Sequence, residues 1–142
     1  MERSIGRDDE EFETSLVRGL KQWQAAEDES MQIAEEIQAR TRNPLVRLVM
    51  EIIVQDSAMH RRVQQFIIDS VERKNVLLAP EDLRSIENLI EKHAAAEKDA
   101  IALAKEASER TELFVPHYLL RYLLEDERKH DSLLDRFVEN RM

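Results

Sequence analysis

The residues best suited to chemistry are Glu127 and His130, set in the stretch 119–137, LLRYLLEDERKHDSLLDRF. At helical spacing Leu120, Leu123, Glu127, His130, Leu134 and Phe137 form one stripe, of the kind that faces a core. A carboxylate and an imidazole stand in that stripe, one turn apart, where leucine is expected. Burying an ionised carboxylate is costly unless a cation or a set of hydrogen bonds meets it. Glu-x-x-His on one helix face presents an oxygen and a nitrogen that can bind the same or adjacent metal ions. Such pairs arise often by chance on helix surfaces; the apolar seam around this one sets it apart.

The elements that must position the pair recur along the chain. Seventy residues before the seam, without a gap, stand Met50, Ile53, Ser57, His60, Gln64 and Ile67, and Asp56 matches Asp126 at the same offset. A further stripe, Leu16, Leu20, Trp23, Glu27, Ser30, Ala34 and Ile37, is followed seventy later by Ile86, Ile90, His93, Glu97, Ala100, Ala104 and Ala107. Between positions 25 and 41, seven of seventeen residues are identical to their partners at that offset. The chain therefore reads as a tandem repeat of a helical hairpin.

Helix one is expected from about Asp9 to Thr41, where Asn43 can cap and Pro44 fits the first turn of helix two. Helix two runs to about Lys74, and 75–79 is a short linker. Helix three starts at Pro80 and runs to about Arg110; helix four follows from about Pro116 to Asn140, after a break over 111–115. Glu27 and Ser57 each lie about fourteen residues from the break between their helices, and so do Glu97 and Glu127 from theirs. At 1.5 Å per residue an antiparallel bundle brings Glu27, Ser57, His60, Glu97, Glu127 and His130 to one height. Three carboxylates and two imidazoles in one layer point to a carboxylate-bridged pair of metal ions. Hard oxygens with imidazole suit iron or manganese, with zinc as a substitute.

On these residues the chain resembles the ferritin-like superfamily of rubrerythrin and ferritin, over about residues 12–140. The resemblance implies an all-α, antiparallel four-helix bundle built from two repeated hairpins, 9–74 and 80–140, in a single domain spanning 1–142. It also implies a ligand set of one Glu on helices one and three and Glu-x-x-His on helices two and four. Glu27, His60, Glu97, Glu127 and His130 match that set as metal ligands, and Ser57 departs from it, standing where the second helix should carry Glu. Three carboxylates leave two divalent ions with excess positive charge, so one ion instead of two is an alternative. The linker of about six to ten residues spans at most roughly 30 Å. That is shorter than a helix of roughly 40 Å. Either the helices alternate up and down, or hairpins are exchanged between two chains in a homodimer.

The bulk composition narrows the function classes. Of 142 residues 36% are charged and 42% apolar, with two glycines and three prolines, which favours amphipathic helices over sheet. A net charge of −9 speaks against nucleic acid or an anionic membrane as main partner. No cysteine is present, so thiolate ligands and disulfides are excluded. The start, MERSIGRDDEEFE, lacks the apolar core of a signal peptide, and a cytoplasmic protein is expected. The expected function is metal binding, with iron first, and dioxygen or peroxide chemistry where both ions bind. The alternative is a degenerate bundle acting as a binding or scaffold protein, for which Ser57 is the argument.

Other residues carry weaker expectations. His93, one turn before Glu97, is a core histidine bonded to an acid or an extra ligand replacing the missing Glu. Trp23 at the matching place, with Met31, Met50 and Met59, reads as core packing. Asp56 and Asp126 are candidate acceptors for the imidazoles. Tyr118 and Tyr122 are expected at an interface, and His117 exposed near a helix start.

Overall fold

The computed structural model describes residues 6–73 and 77–139. The regular elements among them are helices: α1 (Arg7–Arg40), α2 (Pro44–Arg73), α3 (Pro80–Arg84), α4 (Glu87–Arg110) and α5 (Phe114–Glu139). They fall into two compact units, Met1–Leu77 and Leu78–Met142, whose boundary lies between the two hairpin repeats. The expected helix ends at Lys74 and Asn140, the linker positions Asn75 and Val76, and the polar residues 1–5 lie outside the described residues. No helix among the described residues is long and apolar enough to cross a membrane.

The first unit is the antiparallel pair α1 and α2. Its turn is built as the sequence suggests: Asn43 Oδ1 accepts the backbone N–H groups of Leu45 and Val46 at 2.9 and 3.2 Å, and Pro44 opens α2. Gln38 and Arg47 close the turn from outside, Gln38 Nε2 donating to the Arg47 carbonyl at 3.0 Å and Arg47 Nη1 to that of Gln38 at 2.8 Å. Further along, Gln24 donates to the Arg61 carbonyl and to Gln65 Oε1, and Arg61 pairs with Asp28 at 3.0 Å. Leu20, Ala34 and Ile68 are the buried apolar contacts between the helices.

In the second unit the expected third helix is interrupted. Asp82 Oδ2 accepts the Ala79 N–H at 2.8 Å and starts α3. Ile86, at φ −115° and ψ 4°, then leaves helical geometry, and its N–H bonds the Leu83 carbonyl three residues back. Serine and a β-branched residue in succession are weak helix formers, and Leu83 is buried, so the chain turns there before α4. At the other break α5 starts at Phe114, two residues earlier than expected. Pro116 does not prevent this, because the first-turn N–H groups of a helix have no intrahelical partner to lose. His117, expected to be exposed, is instead half-buried, with Nδ1 donating to the Ser108 carbonyl at 3.0 Å.

The seams are split in two. On α5 it is Leu124, 9% exposed, that enters the hairpin, while Leu123 is 47% exposed. One neighbouring helix covers only one edge of a wide apolar stripe. On α1 Leu20, Glu27 and Ala34 face α2, whereas Trp23, at 56% exposed, and Ile37 lie outside. On α2 Ser57, Gln64 and Ile68 are buried, and Met59, Val63 and Phe66 are exposed. Trp23 and Met59, expected as core packing, are thus not covered within their own hairpin.

Candidate metal centre

Glu97 stands as far before the end of α4 as Glu127 stands after the start of α5, and the antiparallel pairing brings them face to face. His130, one turn beyond Glu127, joins them. One ligand atom from each of Glu97, Glu127 and His130 lies within 4.8 Å of the other two, and among the described residues this is the set of three that could hold an ion. Glu97 is buried, 7% exposed, and Glu127 and His130 are half-buried. His130 Nδ1 is 3.6 Å from Glu97 Oε1, and its Nε2 is 3.7 Å from Asp126 Oδ2. Asp126 pairs directly with Lys129 at 2.8 Å and stands on the far side of the imidazole, beyond hydrogen-bond distance of it.

The electrostatics are those of a site short of positive charge. A hydrogen bond to Glu97 is the main cause that raises the Glu127 carboxyl above its ordinary value of 4.5; loss of hydration and the charge of Glu97 add to it, Asp126 adds further, and His130 opposes. The hydrogen bond exists only while one of the two carboxyls keeps a proton. With both ionised, Glu97 Oε2 is buried without a donor. Asp131 Oδ1, one turn after Glu127, is likewise buried without a hydrogen-bond partner. A divalent cation held by Glu97, Glu127 and His130 would remove the repulsion between the carboxyls and would meet an oxygen-plus-imidazole donor set.

The first hairpin repeats half of this arrangement. Glu27 is buried, and its Oε1 lies 3.5 Å from His60 Nδ1, close to the Glu97–His130 separation. Ser57, where the second hairpin has Glu127, is buried with its Oγ 3.5 Å from Ser30 Oγ. Glu27 and His60 are therefore together, as expected, without a third acid or imidazole beside them among the described residues.

The sequence reading left the role of His93 open; here Nδ1 of His93 lies 3.5 Å from Glu97 Oε1. Asp126 stands beside His130, as that reading allowed, without a hydrogen bond to it. Compared with protein-family models, curated proteins and solved structures, the chain matches none.

Proposed function

We propose that the chain is a metal-binding protein whose second hairpin holds a divalent cation through Glu97, Glu127 and His130, with iron as the first candidate and manganese or zinc as alternatives. The observation that carries this reading is the buried Glu97, grouped with a second carboxyl and an imidazole, whose Oε2 has no hydrogen-bond donor. In this role Glu97 and Glu127 supply charge and His130 supplies one nitrogen. A bound iron would supply Lewis acidity and a route to dioxygen or peroxide chemistry.

The finer architecture in this reading is a ferritin-like four-helix bundle, formed within one chain or by hairpins exchanged between two. The outward apolar rows of both hairpins support it, since a two-helix unit with so small a buried interior is marginal alone. In such a bundle Glu27 and His60 join the centre. A second reading, a degenerate bundle serving as a scaffold, draws on Ser57, which leaves the first hairpin without its fourth carboxylate.

Metal analysis of protein produced in iron-supplemented medium tests the choice. Stoichiometric metal in the parent, lost in a Glu127→Ala, His130→Ala double variant, supports the metal centre. Metal in neither, with unchanged melting, favours the scaffold.

A further inference from the structure

We propose that His93 is a further ligand of this centre and the one that sets its choice of cation, making a donor set of two carboxylates and two imidazoles. This rests on the metal reading of Glu97, Glu127 and His130. Glu97 Oε1 is flanked by two imidazole nitrogens, His93 Nδ1 at 3.5 Å and His130 Nδ1 at 3.6 Å. Both separations exceed those of a good N–H···O hydrogen bond. Each is close to the spacing of two donors on one ion, which at metal–ligand distances of about 2.1 Å stand roughly 3.0 to 3.4 Å apart; His93 stands outside the three residues whose ligand atoms lie within 4.8 Å of one another, so it joins them by turning its exposed side chain. His93 and Glu97 are four residues apart on α4, so the backbone itself holds both on one face.

The internal repeat gives a second and independent reason. The hairpins share the buried glutamate and its imidazole, Glu27 with His60 and Glu97 with His130, at nearly equal distances. They part at two further positions: Trp23 and Ser57 in the first hairpin stand where the second has His93 and Glu127. Trp23 cannot ligate a metal. Both residues that separate a bare Glu–His pair from a four-donor set thus differ together, and in the same direction.

Exposure assigns His93 its part. Its side chain is 62% exposed while that of Glu97 is 8% exposed. His93 is the imidazole that a cation arriving from solvent meets first, and it is free to turn onto an ion held by the buried carboxylate. A second nitrogen favours later first-row divalent ions over manganese and magnesium, whose preference is for oxygen. The centre with His93 therefore discriminates against manganese, and without it does so poorly.

Titration of the metal-free full chain with cobalt(II), followed by its visible absorption, and with manganese(II), followed by the spin-resonance signal of the free ion, tests this. His93→Ala is expected to weaken cobalt binding about tenfold or more, to change the intensity of the cobalt bands, and to leave manganese binding within about threefold. The exposed position makes misfolding of this variant easy to exclude by circular dichroism. If the parent binds cobalt, Glu127→Ala abolishes binding and His93→Ala leaves affinity and spectrum unchanged, the role of His93 is overturned and the metal centre stands. Equal loss of both metals in His93→Ala also overturns the selective role. A parent that binds neither ion overturns both readings together.

Discussion

His117 donates its Nδ1–H to the Ser108 carbonyl at 3.0 Å, and this is the place that Arg47 and Gln38 occupy in the other hairpin, where Arg47 Nη1 donates to the Gln38 carbonyl at 2.8 Å. The two pairs are related by the seventy-residue offset of the repeat. Each side chain, from the first turn of one helix, satisfies a carbonyl near the end of the preceding helix. These are among the carbonyls that a helix end leaves without partners. The register of each hairpin, and so the meeting of Glu97 with Glu127 and of Glu27 with His60, is fixed from its turn.

Removing this tie should loosen the centre without touching it. His117→Ala is expected to lower stability by about 1 kcal/mol, the net worth of one partly buried hydrogen bond. Arg47→Ala should cost somewhat more, because Arg47 also reaches the Thr41 carbonyl at 3.3 Å. Denaturant midpoints at constant slope would check both. A His117→Ala protein as stable as the parent would show that the turn is held without the imidazole.

The raised Glu127 carboxyl makes the second hairpin pH-sensitive in a definite direction. Its proton is held more tightly in the folded chain than in the unfolded one, so folding takes up protons between the ordinary value of 4.5 and the raised value. The stabilising contribution is complete below 4.5 and is lost as pH rises through the folded value. In metal-free protein Glu127→Gln, whose amide donates to Glu97 at every pH, should therefore stabilise the neutral-pH state, by at most about 1 kcal/mol because the group is only partly buried. Metal binding must displace the same proton, so affinity should rise with pH across this range and protons should be released. Calorimetry in buffers of different ionisation enthalpy would measure that release.

The repeat itself predicts a gain of function at Ser57. Placing Glu there faces it toward Glu27 and beside His60, as Glu127 faces Glu97 and His130. In metal-free protein Ser57→Glu should lower stability by about 1–3 kcal/mol, since a buried second carboxyl gains no donor. With metal present the loss should shrink and the bound stoichiometry should rise. A variant that loses stability and gains no metal would show that the first hairpin is shaped for packing alone.

How much of this the sequence could show depended on what each residue answers to. Helix existence and the pairing of polar seam positions were legible, because periodicity and the distance of each residue from its turn determine them. The side of the seam was not: Leu123 and Leu124 both fit an apolar stripe, and only the identity of the covering helix decides that Leu124 is inside. The interruption at Ser85 and Ile86 was lost because neither residue is a strong breaker and Pro80 had already supplied a good start. His117 was misjudged because it was read by its place after Pro116; its equivalence to Arg47 was available from the repeat. Glu97, Glu127 and His130 stand together as their spacing suggests, because all three lie within one hairpin and helix geometry alone brings them together.

Trp23 offers the sharpest test of the proposed four-helix architecture, because the chain has one tryptophan. Within its hairpin the indole is outside, 56% exposed, on the same helix as the buried Glu27 and one turn before it. A large aromatic surface left in water forfeits the stabilisation its burial would give, about 1.5–3 kcal/mol for a large apolar side chain. If hairpin packs on hairpin through the outward rows, Trp23 emission should be shifted to the blue and resist quenching by iodide. It should become red-shifted and fully quenched when Val63→Asp and Phe66→Asp charge the exposed apolar row of α2. Sedimentation of the same proteins separates the two routes to that packing: a concentration-dependent loss of shielding marks exchange between two chains, and a concentration-independent one marks closure within a single chain. Emission that is already red and freely quenched in the parent at all concentrations would leave the hairpins without the partner surface that the bundle requires.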